Sequence, residues 1–73
     1  MAGLVKRSFS LAGHRTSVAL EPEFWLALEA HAQVQGESLA AVVTRIDAAR
    51  APGRLLASAL RVFALDAARR GAA

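Results

Sequence analysis

The chain contains no cysteine, which excludes disulfides and thiolate metal sites. Its two histidines, His14 and His31, stand far apart, and two isolated imidazoles make no metal centre. No stretch approaches the roughly 18–20 uninterrupted apolar residues of a membrane-spanning helix. Lys6 and Arg7 are followed by no long apolar run, so the N-terminus does not read as a secretory signal. A cytoplasmic location is the expectation. A glycine-rich phosphate loop is missing, as is any Ser/His/Asp set that local spacing could assemble. The carboxylates fall mainly on what should be helix surfaces. Neither enzyme activity nor a cofactor is therefore expected. No internal repeat or low-complexity segment interrupts the pattern.

What remains is short and apolar. The chain has 73 residues, 55% of them hydrophobic. That length gives room for one domain. A chain this short buries a small share of its surface, and the usual remedies are disulfides, a metal or oligomerisation. With the first two unavailable, a homodimer is the reading that accommodates the apolar surplus. The net charge of +3 is unevenly spread: residues 1–20 carry +3, residues 21–49 carry −4 and residues 50–73 carry +4. A basic start, an acidic middle and a basic tail suggest one electropositive face, the alternative being ordinary solvated charge.

Residues 4–20 read as a β-hairpin or ribbon. Val5, Phe9 and Leu11 alternate with Lys6, Ser8 and Ser10. Thr16, Val18 and Leu20 alternate with Arg15, Ser17 and Ala19. Ala12-Gly13 is a possible two-residue turn, although it lacks the favoured Asn-Gly chemistry. Such a turn pairs Leu11 with His14, Phe9 with Thr16, Arg7 with Val18 and Val5 with Leu20. Paired residues share a face, so the apolar residues collect on one side. The other side pairs Ser10 with Arg15, Ser8 with Ser17 and Lys6 with Ala19, and there Lys6, Ser8, Ser10, Arg15 and Ser17 collect. A shift of one residue would scramble this sorting. Arg7 is the misfit, falling on the apolar face. Two arrangements stay open for residues 1–10, a paired strand or a flexible basic arm, and the face sorting favours the strand.

A helix is expected over 22–35. Pro22 suits its first position, Glu21 and Glu23 favour its positive end, and Gly36 stops it. Its apolar stripe reads Phe24, Trp25, Leu28, Ala32 and Gln35. Trp25 and Phe24 follow the stripe and read as core rather than as a base-stacking platform. A second helix over 38–50, capped by Ser38, has the stripe Leu39, Val42, Val43, Ile46 and Ala49. Ala51-Pro52-Gly53 breaks it. A third helix over 56–69 carries Leu56, Leu60, Val62, Phe63 and Leu65 on more than one face, and so calls for partners on two sides. Gly71-Ala72-Ala73 are expected to fray. His31 reads as a surface or interface residue, and His14 as a solvated turn residue within reach of a phosphate. Arg69 and Arg70 read as solvated charge near a helix C-terminus.

The segments "HRTSVALEPEFW" at 14–25 and "GESLAAVVTRI" at 36–46 resemble the ribbon-helix-helix pattern of small bacterial and phage repressors. "KRSFSLAG" upstream and "SALRVFAL" downstream are similar to a short bacterial subgroup with a C-terminal extension. The resemblance spans roughly residues 5–65. It implies a mainly α fold with a short N-terminal β-ribbon, an intertwined homodimer and an additional C-terminal helix. It also implies that outward side chains of the second strand enter the DNA major groove. Those positions are Arg15, Ser17 and Ala19. Arg15 could contact guanine in bidentate fashion, whereas Ala19 departs from the expected polar residue and offers at most contact with a thymine methyl. The resemblance places a phosphate at the start of the second helix, near Ser38 and Leu39, a role compatible with simple capping by Ser38. If the first strand pairs, Lys6, Ser8 and Ser10 flank the reading strands near the phosphate backbone. The implied role is transcriptional regulation by binding double-stranded DNA. Two other readings remain. In one, the chain is an antitoxin whose apolar third helix binds a toxin or other small protein. In the other, it is a dimeric interaction module without DNA binding.

Overall fold

A computed structural model describes residues 3–71. Two strands, β1 (Val5–Leu11) and β2 (His14–Leu20), precede three helices, α1 (Pro22–Gln35), α2 (Leu39–Ala49) and α3 (Leu56–Gly71). The strands pair antiparallel from Val5 with Leu20 to Leu11 with His14, the register that face sorting requires. Residues 5–10 therefore belong to a paired strand rather than a free arm; residues 1 and 2 lie outside the described region. Between the strands, Ala12 and Gly13 have φ values of 51° and 82°. Two consecutive positive values are the signature of a type I′ turn, whose twist matches that of the strands it joins. Ala12 adopts the left-handed region despite its Cβ, so the pairing on both sides imposes the turn rather than the reverse.

Helix boundaries follow local chemistry. Pro22 opens α1 and Gly36 closes it with φ 70°. The N–H of Glu37 reaches back to the carbonyl of Ala32 at 2.9 Å and that of Gly36 to Gln33 at 3.2 Å, the paired bonds of a Schellman stop. The second helix spans Leu39–Ala49, one residue inside the expected bounds at each end, because Ser38 and Arg50 are extended caps. The Ser38 hydroxyl accepts from the Ala41 N–H at 3.0 Å. The third helix runs to Gly71, past the expected end at Arg69. Gly71 is thus helical rather than frayed, and Ala72 and Ala73 lie outside the described residues.

One core joins all five elements. Phe9 and Leu11 come from β1, and Val18 and Leu20 from β2. Trp25, Leu28 and Ala32 come from α1, Val42, Val43 and Ile46 from α2, and Leu60 and Ala64 from α3. Two residues assigned to apolar stripes, Gln35 and Ala49, are exposed. Each sits in the last turn of its helix, where the chain turns away from the core. The third helix lies mainly against α1, with further contacts to α2 and β2. It therefore roofs the core of its own chain. Only one side of it is used: Leu60 and Ala64 are buried, whereas Val62 and Leu65 are about half exposed.

Two arginines clamp this assembly across long sequence separations. Arg7, the residue misplaced by alternation, ion-pairs with Glu29 of α1 at 2.6 Å. Its guanidinium lies over the Trp25 ring, 5.1 Å from the centroid. The apolar stem packs inward while the charge reaches the rim. Trp25 in turn donates its indole N–H to the Val5 carbonyl at 2.7 Å. On the other side, Arg61 of α3 bonds Glu21 at 2.9 Å and lies over Phe24. His31 meets Phe63 edge to face, with ring centroids 4.9 Å apart, so it is an α1–α3 packing residue.

Candidate nucleic-acid interface

Because the inward residues of the hairpin are fixed by the core, its outward residues are fixed too. Lys6, Ser8 and Ser10 on β1 face Ala19, Ser17 and Arg15 on β2, in that order. All are exposed except Ala19, which is half-buried. The six form a polar, cationic face without a single carboxylate. Among the described residues, neither Lys6 nor Arg15 takes part in an ion pair. Arg7, Arg45, Arg50 and Arg61 are all paired with acids. The scattered positive charge of the sequence is thus sorted by folding. Four arginines hold the chain together or neutralise neighbours, while Lys6 and Arg15 on the ribbon, like Arg54, Arg69 and Arg70 on and before α3, form no ion pair among the described residues.

The outward side chains also bond across the strands. Arg15 donates from Nη1 to the Ser10 hydroxyl at 3.3 Å, and the hydroxyls of Ser8 and Ser17 lie 2.8 Å apart. The pairing of Ser10 with Arg15 and of Ser8 with Ser17 was already legible in the sequence; the structure adds the bonds between their side chains. The cross-strand register carried the link, since each serine stands opposite its partner. Lys6 stands opposite Ala19, where a small side chain leaves its stem unobstructed.

The start of α2 is separate in sequence from the ribbon. The Ser38 oxygen is engaged by Ala41, and Val42 bonds the Ser38 carbonyl at 3.2 Å. The N–H groups of Leu39 and Ala40 have no intrahelical acceptor in such a first turn. Their dipoles favour an anion. Glu37 precedes the cap, and its carboxylate is ion-paired with Arg45. Ser38 is thus a cap by direct observation, with its hydroxyl hydrogen left to donate.

Among the described residues no group of acids and histidines could hold a metal ion. No helix among them is long and apolar enough to cross a membrane.

A short antiparallel ribbon presenting cations and hydroxyls, backed by helices, defines the class of β-ribbon DNA-binding domains. The family model of the ribbon-helix-helix domain matches residues 4–68, and the chain belongs to that family. The family is of the DNA-binding, transcription-regulator type; its domains generally form dimers, and its fold is non-enzymatic. Neither a curated protein nor a solved structure matches the chain.

Proposed function

We propose that the protein is a transcriptional regulator that binds double-stranded DNA sequence-specifically as a homodimer, with the two β2 strands in the major groove. The observation that carries this reading is the ribbon's outward face, cationic, rich in hydroxyls and free of carboxylates. Several further features support it. The sheet has only two strands, so the far edge of β2 is open among the described residues, and an open edge invites pairing with a second chain. Leu26, Val34, Val62 and Leu65 remain half or more exposed, an apolar surplus that a dimer would reduce.

The geometry of such a dimer assigns roles. Strands spaced about 4.8 Å apart put each β2 about 2.4 Å, and each β1 about 7 Å, from the dyad. The major groove is about 12 Å wide. The β2 strands therefore fit inside it, and β1 falls at its walls, under the phosphates. Arg15 and Ser17 read bases, and Ala19 contributes apolar contact only. Lys6, Ser8 and Ser10 lie toward the backbone, and Ser38 with the Leu39 N–H holds a further phosphate. A symmetric dimer presents two equivalent strands and suits an operator with two-fold symmetry. By occupying it the protein would act as a repressor. The role needs no cofactor and places the protein with the DNA in the cytoplasm. The antitoxin reading has less support, because Leu60 and Ala64 of α3 are taken up by their own protomer.

Fluorescence anisotropy with random duplex DNA across a salt series, on protein sized by light scattering, tests the proposal. A dimer whose affinity falls steeply with salt is expected. Against a selected site, Arg15→Ala should cost about 1–3 kcal/mol and relax one base position. Lys6→Ala should weaken all DNA alike and lower the salt slope by about one. A dimer with no DNA binding at low salt would refute the function.

A further inference from the structure

Within the DNA-reading role proposed above, β1 does more than stand at the groove wall. We propose that Ser10 and Ser8 are positioning residues for sequence readout, holding the Arg15 guanidinium and the Ser17 hydroxyl in place without themselves reading a base. Arg15 and Ser10 are directly paired in the register, and the guanidinium donates to the Ser10 oxygen at 3.3 Å. No acid among the described residues competes for it. One N–H is engaged, and the rest of the guanidinium fork stays free for the O6 and N7 acceptors of guanine.

A serine is a suitable anchor for a long side chain. Its hydroxyl oxygen is separated by a single rotatable bond from a backbone fixed in a ladder, so it moves little. That backbone is itself held to α1 by the Trp25 N–H on the Val5 carbonyl and by the Arg7–Glu29 pair. Positional order thus passes from the core through β1 to the tip of Arg15. Ser8 acts on Ser17 in a related way. With the oxygens 2.8 Å apart, one hydroxyl donates to the other, and the choice decides whether Ser17 offers a base its proton or its lone pairs. An ordered side chain loses less conformational freedom when it meets a base. The gain falls on the specific complex, because phosphate contacts tolerate a mobile cation.

The test starts with duplex sites selected by the wild-type protein from a random library. Wild type, Ser10→Ala and Ser10→Thr are then titrated against the selected site, its single-base variants and random duplex, over a salt series. Ser10→Ala is expected to reduce discrimination at one base pair by about three- to tenfold, the pair that Arg15→Ala also relaxes. Affinity for random duplex and the salt slope should not change, and Ser10→Thr, which keeps the hydroxyl, should restore discrimination. Ser8→Ala should shift the preference at a different base pair. Equal losses on all sequences would make Ser10 a phosphate contact and overturn the inference. Unchanged discrimination would overturn it while leaving the DNA-binding reading intact. Wild-type protein that binds no duplex at low salt would remove both.

Discussion

Leu60 offers the sharpest test of the architecture, because it asks whether α3 is part of the core or an appendage. The side chain is fully buried. Leu60→Ala removes three carbons, and at about 0.8 kcal/mol per buried CH2 the transfer loss alone is about 2.4 kcal/mol. The cavity left beneath α1 adds to this, giving a total of about 2.5–5 kcal/mol. A folded chain of this length is worth about 4–11 kcal/mol in all. The substitution should therefore abolish a large part of the stability and lower Tm by at least about 10 °C. The assay is urea unfolding followed by circular dichroism, with both proteins at one chain concentration so that self-association affects both alike. Asp66→Ala, at an exposed position of the same helix, is the control and should cost less than about 1 kcal/mol. A Leu60→Ala protein within about 1 kcal/mol of wild type would refute the packing of α3 against α1.

Other perturbations probe the hairpin and the clamps. At Ala12, the left-handed φ of 51° costs an alanine about 1–2 kcal/mol. Ala12→Gly removes the strain and adds about 0.5–1 kcal/mol of chain entropy, so a small rise in Tm is expected, whereas Ala12→Val should lower it. Arg7→Ala loses the Glu29 pair and the contact with Trp25 together, about 1–2 kcal/mol by denaturant unfolding. A loss indistinguishable from zero would show that the clamp is only a surface contact. The Glu21 carboxyl is held below its ordinary pKa, first by the hydrogen bond from Arg61 and then by a backbone N–H of its own residue. A depressed carboxylate stabilises the fold above its unfolded pKa, and the contribution disappears as pH falls through the folded value. Stability measured from neutral pH downward should therefore fall on the acid side, and Glu21→Gln should flatten that fall. An identical pH profile for the variant would contradict the assignment.

Much of the candidate site was legible because strands and helices write their geometry into sequence at short range. Alternation with period two sorted Lys6, Ser8, Ser10, Arg15 and Ser17 away from Phe9, Val18 and Leu20. The paired register then followed from a turn of two residues. Pro22, Gly36 and Ser38 marked the helix ends because first and last turns leave backbone groups that only certain residues satisfy. What was missed involves partners far apart in the chain. Arg7 looked like an error in the pattern until Glu29 and Trp25 were brought beneath it. The Ser10–Arg15 pairing was legible in the register, and only the bond between the two side chains needed the folded structure.

The sequence by itself determined the order of the elements, the faces of the ribbon and the positions of its turns. Each of these depends on neighbours within a few residues, where backbone geometry fixes which side chains meet. Only the tertiary structure decided which side of α3 is core, what His31 touches, and which arginines are consumed by Glu21 and Glu29. Val62 and Leu65 are as apolar as Leu60, so no local rule distinguishes them. The choice falls to whichever face fits against α1, and fit between surfaces is a property of the folded whole.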